Sequence, residues 1–282
     1  MSDEDQLRRA LDDARRSDGN VLQAFADLAN HYRDRQAWDP LIALTEERYQ
    51  LDRATSGASV SLVYLAIDMM DAERGELAVE LLDRTRRDFE ADGVGDEFAL
   101  RTLWTTTARV MNQLDRIDEA IAACRRTVEI ARRVGPEYSD YWEMHAFLAD
   151  LVQFRKRDVA GCIPERTALW QHFRRVLEQG ELGYNATIVH AQNAVRLAHA
   201  LRKLERWAEA RAIYEPLLAD ITASMFLGPD SIERPTLMLD LAECHRALGD
   251  SGKARELATH ALELLEPHGD GELSQRARAL LD

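Results

Sequence analysis

The chain has 282 residues, with 50 acidic against 36 basic side chains and a net charge of −14 at pH 7. A composition of 46% hydrophobic and 30% charged residues, with only 14 Gly and 7 Pro, excludes a disordered chain and predicts a folded, helix-rich one. The acidic balance argues against a general nucleic-acid binder, which needs a basic surface to release phosphate counterions.

The first residues, MSDEDQLRRALDDARR, lack the apolar core of a secretory signal, and residues 3–17 predict a helix. Turn-forming clusters then punctuate the chain at Asp18-Gly19-Asn20, Ser56-Gly57, Asp92-Gly93, Gly135-Pro136, Gly180 to Gly183, Gly228-Pro229 and Pro267 to Gly269. Between them Leu, Ala, Arg and Glu dominate, and apolar residues recur at three and four, as in amphipathic helices. The intervals predict six helical hairpins, at 20–56, 58–92, 97–134, 139–180, 186–227 and 233–267, with a capping helix at 271–282. One domain over 1–282 is expected, without linkers. No run reaches the roughly 18 apolar residues of a membrane span. Cys124, Cys162 and Cys244 are odd in number and far apart, which predicts free thiols in a reducing cytoplasm.

A second ruler confirms the repeat. A large-small pair stands at Leu28-Ala29, Leu65-Ala66, Thr107-Ala108, Leu148-Ala149, Leu197-Ala198 and Leu241-Ala242. These alanines step by 37, 42, 41, 49 and 44 residues. Twelve residues beyond them stand Leu41, Ala78, Ala120, Gly161, Ala210 and Ala254. Three residues beyond them stand Tyr32, Met69, Met111, Val152, Leu201 and His245, mostly bulky. Small residues facing large ones let two antiparallel helices approach closely.

With its large-small pairs and RTLWTTTARVMNQLDRIDEAIAACRRTVEIAR from Arg101 to Arg132, the chain resembles the tetratricopeptide repeat (TPR) family. Periods near 42, with GPEYSD and GPDSIERPT before the next helix pair, resemble its kinesin-light-chain-like subclass. The resemblance implies an all-α, right-handed superhelix (solenoid) of about six TPR-like hairpins with N- and C-terminal capping helices. The unit around Gly161 departs most, because FRKRDVAGCIPERTALW puts Gly and Pro where a second helix should begin. A displaced or shortened helix is expected there, with Pro164 at its N-terminus.

No catalytic motif survives scrutiny. Gly249 to Ala254 imitates a phosphate loop but lacks a glycine at Ala247 and a Ser or Thr at Ala254. No histidine or cysteine spacing favours a metal; Cys124 and Cys244 read as core thiols, and His245 as a buried histidine with a polar partner. The chain therefore reads as a non-enzymatic protein-interaction module, an adaptor, scaffold or regulator of bacterial cytoplasmic type, without cofactor, metal, membrane or nucleic-acid partner. The alternatives are a peptide- or ligand-responsive regulator and an accessory subunit of an enzyme complex.

The resemblance also implies a groove formed by the first helices. Carried over, it presents Arg109, Asn112 and Gln113, then Asp150 and Gln153, then Gln192, Arg196, His199, Arg202 and Lys203, then Asp240, Glu243 and Arg246. Arg196, His199, Arg202 and Lys203 share one helix face. They suggest a receptor for an acidic protein segment or a C-terminus; the alternative is that they pair with Asp240 and Glu243 on the next helix. The first reading predicts that charge reversal of Arg196 with Arg202 abolishes binding without loss of stability. Homodimerisation is expected if irregular units leave apolar surface exposed.

Overall fold

A computed structural model describes residues 2–17, 20–134, 139–179, 184–223, 233–269 and 271–282. The turns predicted at Gly135-Pro136, Gly180 to Gly183 and Gly228-Pro229 lie outside these residues. Everything regular among the described residues is helical: α1 (Asp3–Arg16), α2 (Val21–Asp34), α3 (Trp38–Ser56), α4 (Ser61–Asp71), α5 (Gly75–Asp92), α6 (Glu97–Gln113) and α7 (Ile117–Val134). There follow α8 (Ser139–Asp150), a five-residue π-helical segment (Leu151–Arg155), α9 (Ile163–Glu178), α10 (Tyr184–Lys203), α11 (Trp207–Ala223), α12 (Glu233–Ala247), α13 (Ser251–Leu265) and α14 (Glu272–Leu281). They form five packed hairpins, α2–α3, α4–α5, α6–α7, α10–α11 and α12–α13, flanked by α1 and α14, while α8 and α9, joined by the His145–Glu165 and Asp150–Arg166 contacts, stand at the place of a fourth in chain order. The chain divides within α8 into two compact units, Met1–Met144 and His145–Asp282.

Local chemistry sets the helix ends. Ser2 Oγ accepts from the Asp5 amide while Asp5 Oδ2 accepts from the Ser2 amide, a reciprocal box that opens α1. Asn20, Asp96 and Asp250 cap α2, α6 and α13 more simply, each side chain accepting one backbone amide. Five hairpins turn through one left-handed residue seven positions after the repeat alanine: Gln36, Glu73, Asp115, Glu205 and Gly249. The next amide returns to the carbonyl of the bulky residue, as Arg74 does to Met69 at 2.8 Å and Arg206 to Leu201 at 2.9 Å. This closes the first helix with a Schellman bond.

The small-large ruler is physical. Ala66, Ala78, Ala108, Ala120, Ala198, Ala210, Ala242 and Ala254 are buried, as are Tyr32, Met69, Met111, Leu201 and His245 beside them. His245 has polar partners, with Nδ1 3.2 Å from Asp250 Oδ2. A leucine at a crossing alanine must push the helices apart. Ala120→Leu and Ala210→Leu are each expected to lower stability by about 1–3 kcal/mol, read as the shift in a denaturation midpoint.

The fourth hairpin breaks the rule at a definable place. The fourth residue of the second helix is Ala78, Ala120, Ala210 and Ala254 in four hairpins, and Leu41 in the first. Its amide makes the first intrahelical bond, as Ala120 does to Arg116 at 3.0 Å. In α9 that bond belongs to Arg166, whose amide reaches the Cys162 carbonyl at 3.1 Å. Gly161 is therefore not the crossing residue; it is exposed and precedes α9, which starts late with Pro164 in its first turn. A guanidinium needs more room than a methyl group, and the first helix yields to it. The π-helical segment adds one residue, so the left-handed position is Arg157, eight after Ala149 rather than seven.

Candidate partner-binding surface

In the second unit, polar side chains of α8, α10, α12 and α14 join into a ladder whose steps span one repeat. Arg166 is 1% exposed. Its guanidinium donates to Gln153 Oε1 at 2.5 Å, Asn193 Oδ1 at 3.2 Å and Asp150 Oδ1 at 2.6 Å. Asn193 returns a bond to the Arg166 carbonyl at 3.1 Å. Asp150 also accepts from Arg196 Nη1 at 2.8 Å. One carboxylate thus serves two guanidinium groups, which leaves a surplus positive charge on Arg196, the more exposed of the pair. Both guanidinium carbons stand near the Phe154 ring, 5.7 Å (Arg166) and 5.6 Å (Arg196) from its centroid, and Phe154 is 52% exposed.

The second cluster is balanced. Asp240, 2% exposed, accepts from Arg202 Nη1 at 2.6 Å, Arg276 Nη2 at 2.6 Å and the Tyr214 hydroxyl at 3.1 Å, with His199 Nε2 at 2.8 Å. Glu243 accepts from Arg276 Nε at 2.5 Å and from Arg202. Burial alone would raise the Asp240 carboxyl, but the His199 bond and the Arg202 and Arg276 cations outweigh it and hold it well below the usual carboxylate range. Arg202 is desolvated too, yet Asp240 keeps its pKa raised. Burial pushes the Tyr214 phenol up, as it does the thiols of Cys124, to about 12, and Cys244, to about 11. All three cysteines are buried free thiols, suited to packing rather than reaction.

Above the ladder lies a groove of about 400 Å³, lined by Gln153, Phe154, Arg196, His199, Arg202, Lys203 and Trp207. Among the described residues no carboxylate is in the lining. Lys203 is exposed and makes no ion pair among the described residues.

The predicted residues separate accordingly. Asp150, Gln153, Arg196, His199, Arg202, Lys203, Asp240 and Glu243 come together, whereas Arg246 turns to α14 and donates to the Ala279 carbonyl at 3.0 Å. Gln192 is exposed on α10 and outside the lining. Arg109 and Gln113, exposed, and Asn112, half-buried, belong to α6 of the first unit. Two of the expected ligand contacts already have partners within the chain. Asp240 is a buried anion with four partners, and Gln153 is buried with its carbonyl taken by Arg166. Arg202 is 16% exposed and holds two carboxylates, so its charge reversal is expected to cost stability. Arg166, Phe154, Trp207 and Arg276 escaped the sequence reading. Glu165-Arg166 aligned with Glu119-Ala120 and Glu209-Ala210 was the available signal for the first of them.

The family model described as Tetratricopeptide repeat matches residues 189–266, which hold most of α10 and all of α11, α12 and α13. This segment consists of tetratricopeptide repeats. Solved tetratricopeptide-like structures share the fold beyond it. Nearly identical TPR-like repeats assigned to a kinesin light chain of Podosopora anserina superpose with a TM-score of 0.52 at 18% identity, over 75% of this chain and 96% of theirs. BtubC (BKLC) from P. vanneervenii gives 0.51 at 16% identity over 94% and 93%, and apo RapI gives 0.56 at 12% over 93% and 70%. Among curated protein sequences none matches the chain. The tetratricopeptide fold is in general that of a protein–protein interaction module, typically without enzymatic activity. Among the described residues, no helix is long and apolar enough to cross a membrane.

Proposed function

We propose that the chain is a non-enzymatic cytoplasmic adaptor or regulator whose second unit binds an acidic, extended segment of a partner protein along α10. The observation that carries this reading is the carboxylate-free groove together with the charge count beneath it. Arg196 shares Asp150 with a buried arginine, and Lys203 has no counter-ion among the described residues. A partner's carboxylates gain charge-assisted hydrogen bonds there without displacing a resident anion. Arg202 and His199 are committed to Asp240 and serve as the wall.

Spacing narrows the ligand. Arg196 and Lys203 are seven residues apart, about 10.5 Å along a helix. A polyproline-II segment advances about 3.1 Å per residue and repeats every three, so acids at positions i and i+3 face the same side about 9.3 Å apart. Phe154 and Trp207 offer apolar flanks for what lies between.

The test is a fluorescence titration with a synthetic peptide carrying two glutamates three residues apart. Arg196→Glu with Lys203→Glu should weaken binding at least about tenfold while the melting temperature stays within a degree or so. Undiminished affinity in that variant, or no binding by the unaltered chain, would sink the proposal.

A further inference from the structure

The first unit carries a different basic feature, on the face of its second helices. Between α5 and α7 runs a furrow of about 800 Å³ whose apolar surface comes from Leu100, Leu103 and Trp104 of α6, with Phe89 and Ile130 beside them. A smaller hollow of about 210 Å³ shares Trp104 and Arg86 with it and extends it towards Met111. Along α7 stand Arg125, Arg126, Arg132 and Arg133, all exposed. Glu129 is the one carboxylate among them, and it serves both Arg126 (3.2 Å) and Arg133 (3.0 Å). Arg125 and Arg132 make no ion pair among the described residues, and neither does Arg87 of α5. The furrow and its extension hold Arg86, Arg126 and Arg133 against Asp83, Glu90, Glu119 and Glu129, and the exposed Arg87, Arg125 and Arg132 of the same two helices make this neighbourhood net positive on a chain of net charge −14.

We infer that this furrow docks an acidic amphipathic helix of a partner protein, independently of the α10 groove. Arg126 and Arg133 are seven residues apart, two helical turns, so a guest helix with carboxylates at i and i+7 matches their rise. Its residues at i+3 and i+4 then point between them, onto the Ile130 and Trp104 surface, as in helix-in-groove recognition.

The inference is tested on the full chain with fluorescein-labelled alanine-based helical peptides of about 18 residues. One carries a central leucine flanked by glutamates seven apart; its twin carries lysines instead. The glutamate peptide should bind with an affinity that falls as salt rises, and Arg126→Glu with Arg133→Glu should weaken it at least about tenfold. The side chains of both arginines are more than three-fifths exposed, at 64% and 67%, so helicity should be retained; Arg126→Gln with Arg133→Gln should give a smaller loss in the same direction. Arg196→Glu with Lys203→Glu should leave this binding unchanged, which separates the two sites. The inference is overturned if the glutamate peptide does not bind, if the lysine twin or a DNA duplex binds as well, or if the arginine variants bind normally. Sedimentation showing that the same arginines hold two copies of the chain together would also overturn it.

Discussion

Asp240→Ala is expected to destabilise the second unit by about 3–5 kcal/mol, the range for removing one partner of a buried ion pair. The carboxylate is the shared acceptor of Arg202, Arg276 and Tyr214, and its loss leaves two part-buried guanidinium groups with Glu243 as their one shared carboxylate. Asp240→Asn keeps the shape and one acceptor oxygen and should cost less. The same site sets an acid limit. Its folded pKa lies below the unfolded value of about 3.9, so its stabilisation is fully present at neutral pH. As pH drops below about 4 the unfolded chain takes up the proton first, and this stabilisation fades until the folded pKa is reached. Melting temperatures at pH 7 and near pH 3 should therefore fall further for the unaltered chain than for Asp240→Asn. Equal acid sensitivity would show that Asp240 is not the linked group.

Arg166→Met should separate charge from shape at the other end of the ladder. Methionine fills much of the buried volume, but Gln153 and Asn193 each lose a charged donor, costing about 1–3 kcal/mol per side chain left unsatisfied. Asp150 keeps Arg196, so no carboxylate is abandoned. The cluster's net charge falls from plus one to zero, and Arg196 becomes the sole counter-ion of Asp150. An acidic segment should then bind several-fold more weakly, though no residue it touches has changed. Circular dichroism with peptide titration reads both effects. Unaltered affinity in a folded Arg166→Met chain would mean that the surplus charge does not govern binding.

The hairpins were legible because two signals repeat. Breakers such as Gly57 and Gly93 stand between hairpins, and alanine recurs at four of the six helix crossings. Both follow from backbone sterics and close packing, which a single sequence displays. The fourth hairpin was legible only as an exception. Counting twelve from Ala149 lands on Gly161, because a counting rule cannot foresee the extra residue of a π-helical turn or the longer loop behind it. Arg166 was hidden for the same reason, since a buried arginine looks like a surface one until its partners are known. The site was half legible. Helical spacing put Arg196, His199, Arg202 and Lys203 on one face, but which of them were already neutralised depended on side chains 38 to 46 residues away. Asp240 and Glu243 were identifiable as competing partners; that they claim Arg202 and leave Arg196 and Lys203 is a matter of geometry.

Hydrogen–deuterium exchange of the full chain, with and without the extended two-glutamate peptide, tests the binding claim most directly. Slowed exchange is predicted across Leu151–Arg155 and the last turns of α10, where Phe154, Arg196 and Lys203 stand, with little change in α9, α11 and α13. Protection confined to those second helices, or none at a peptide concentration that saturates binding, would contradict it.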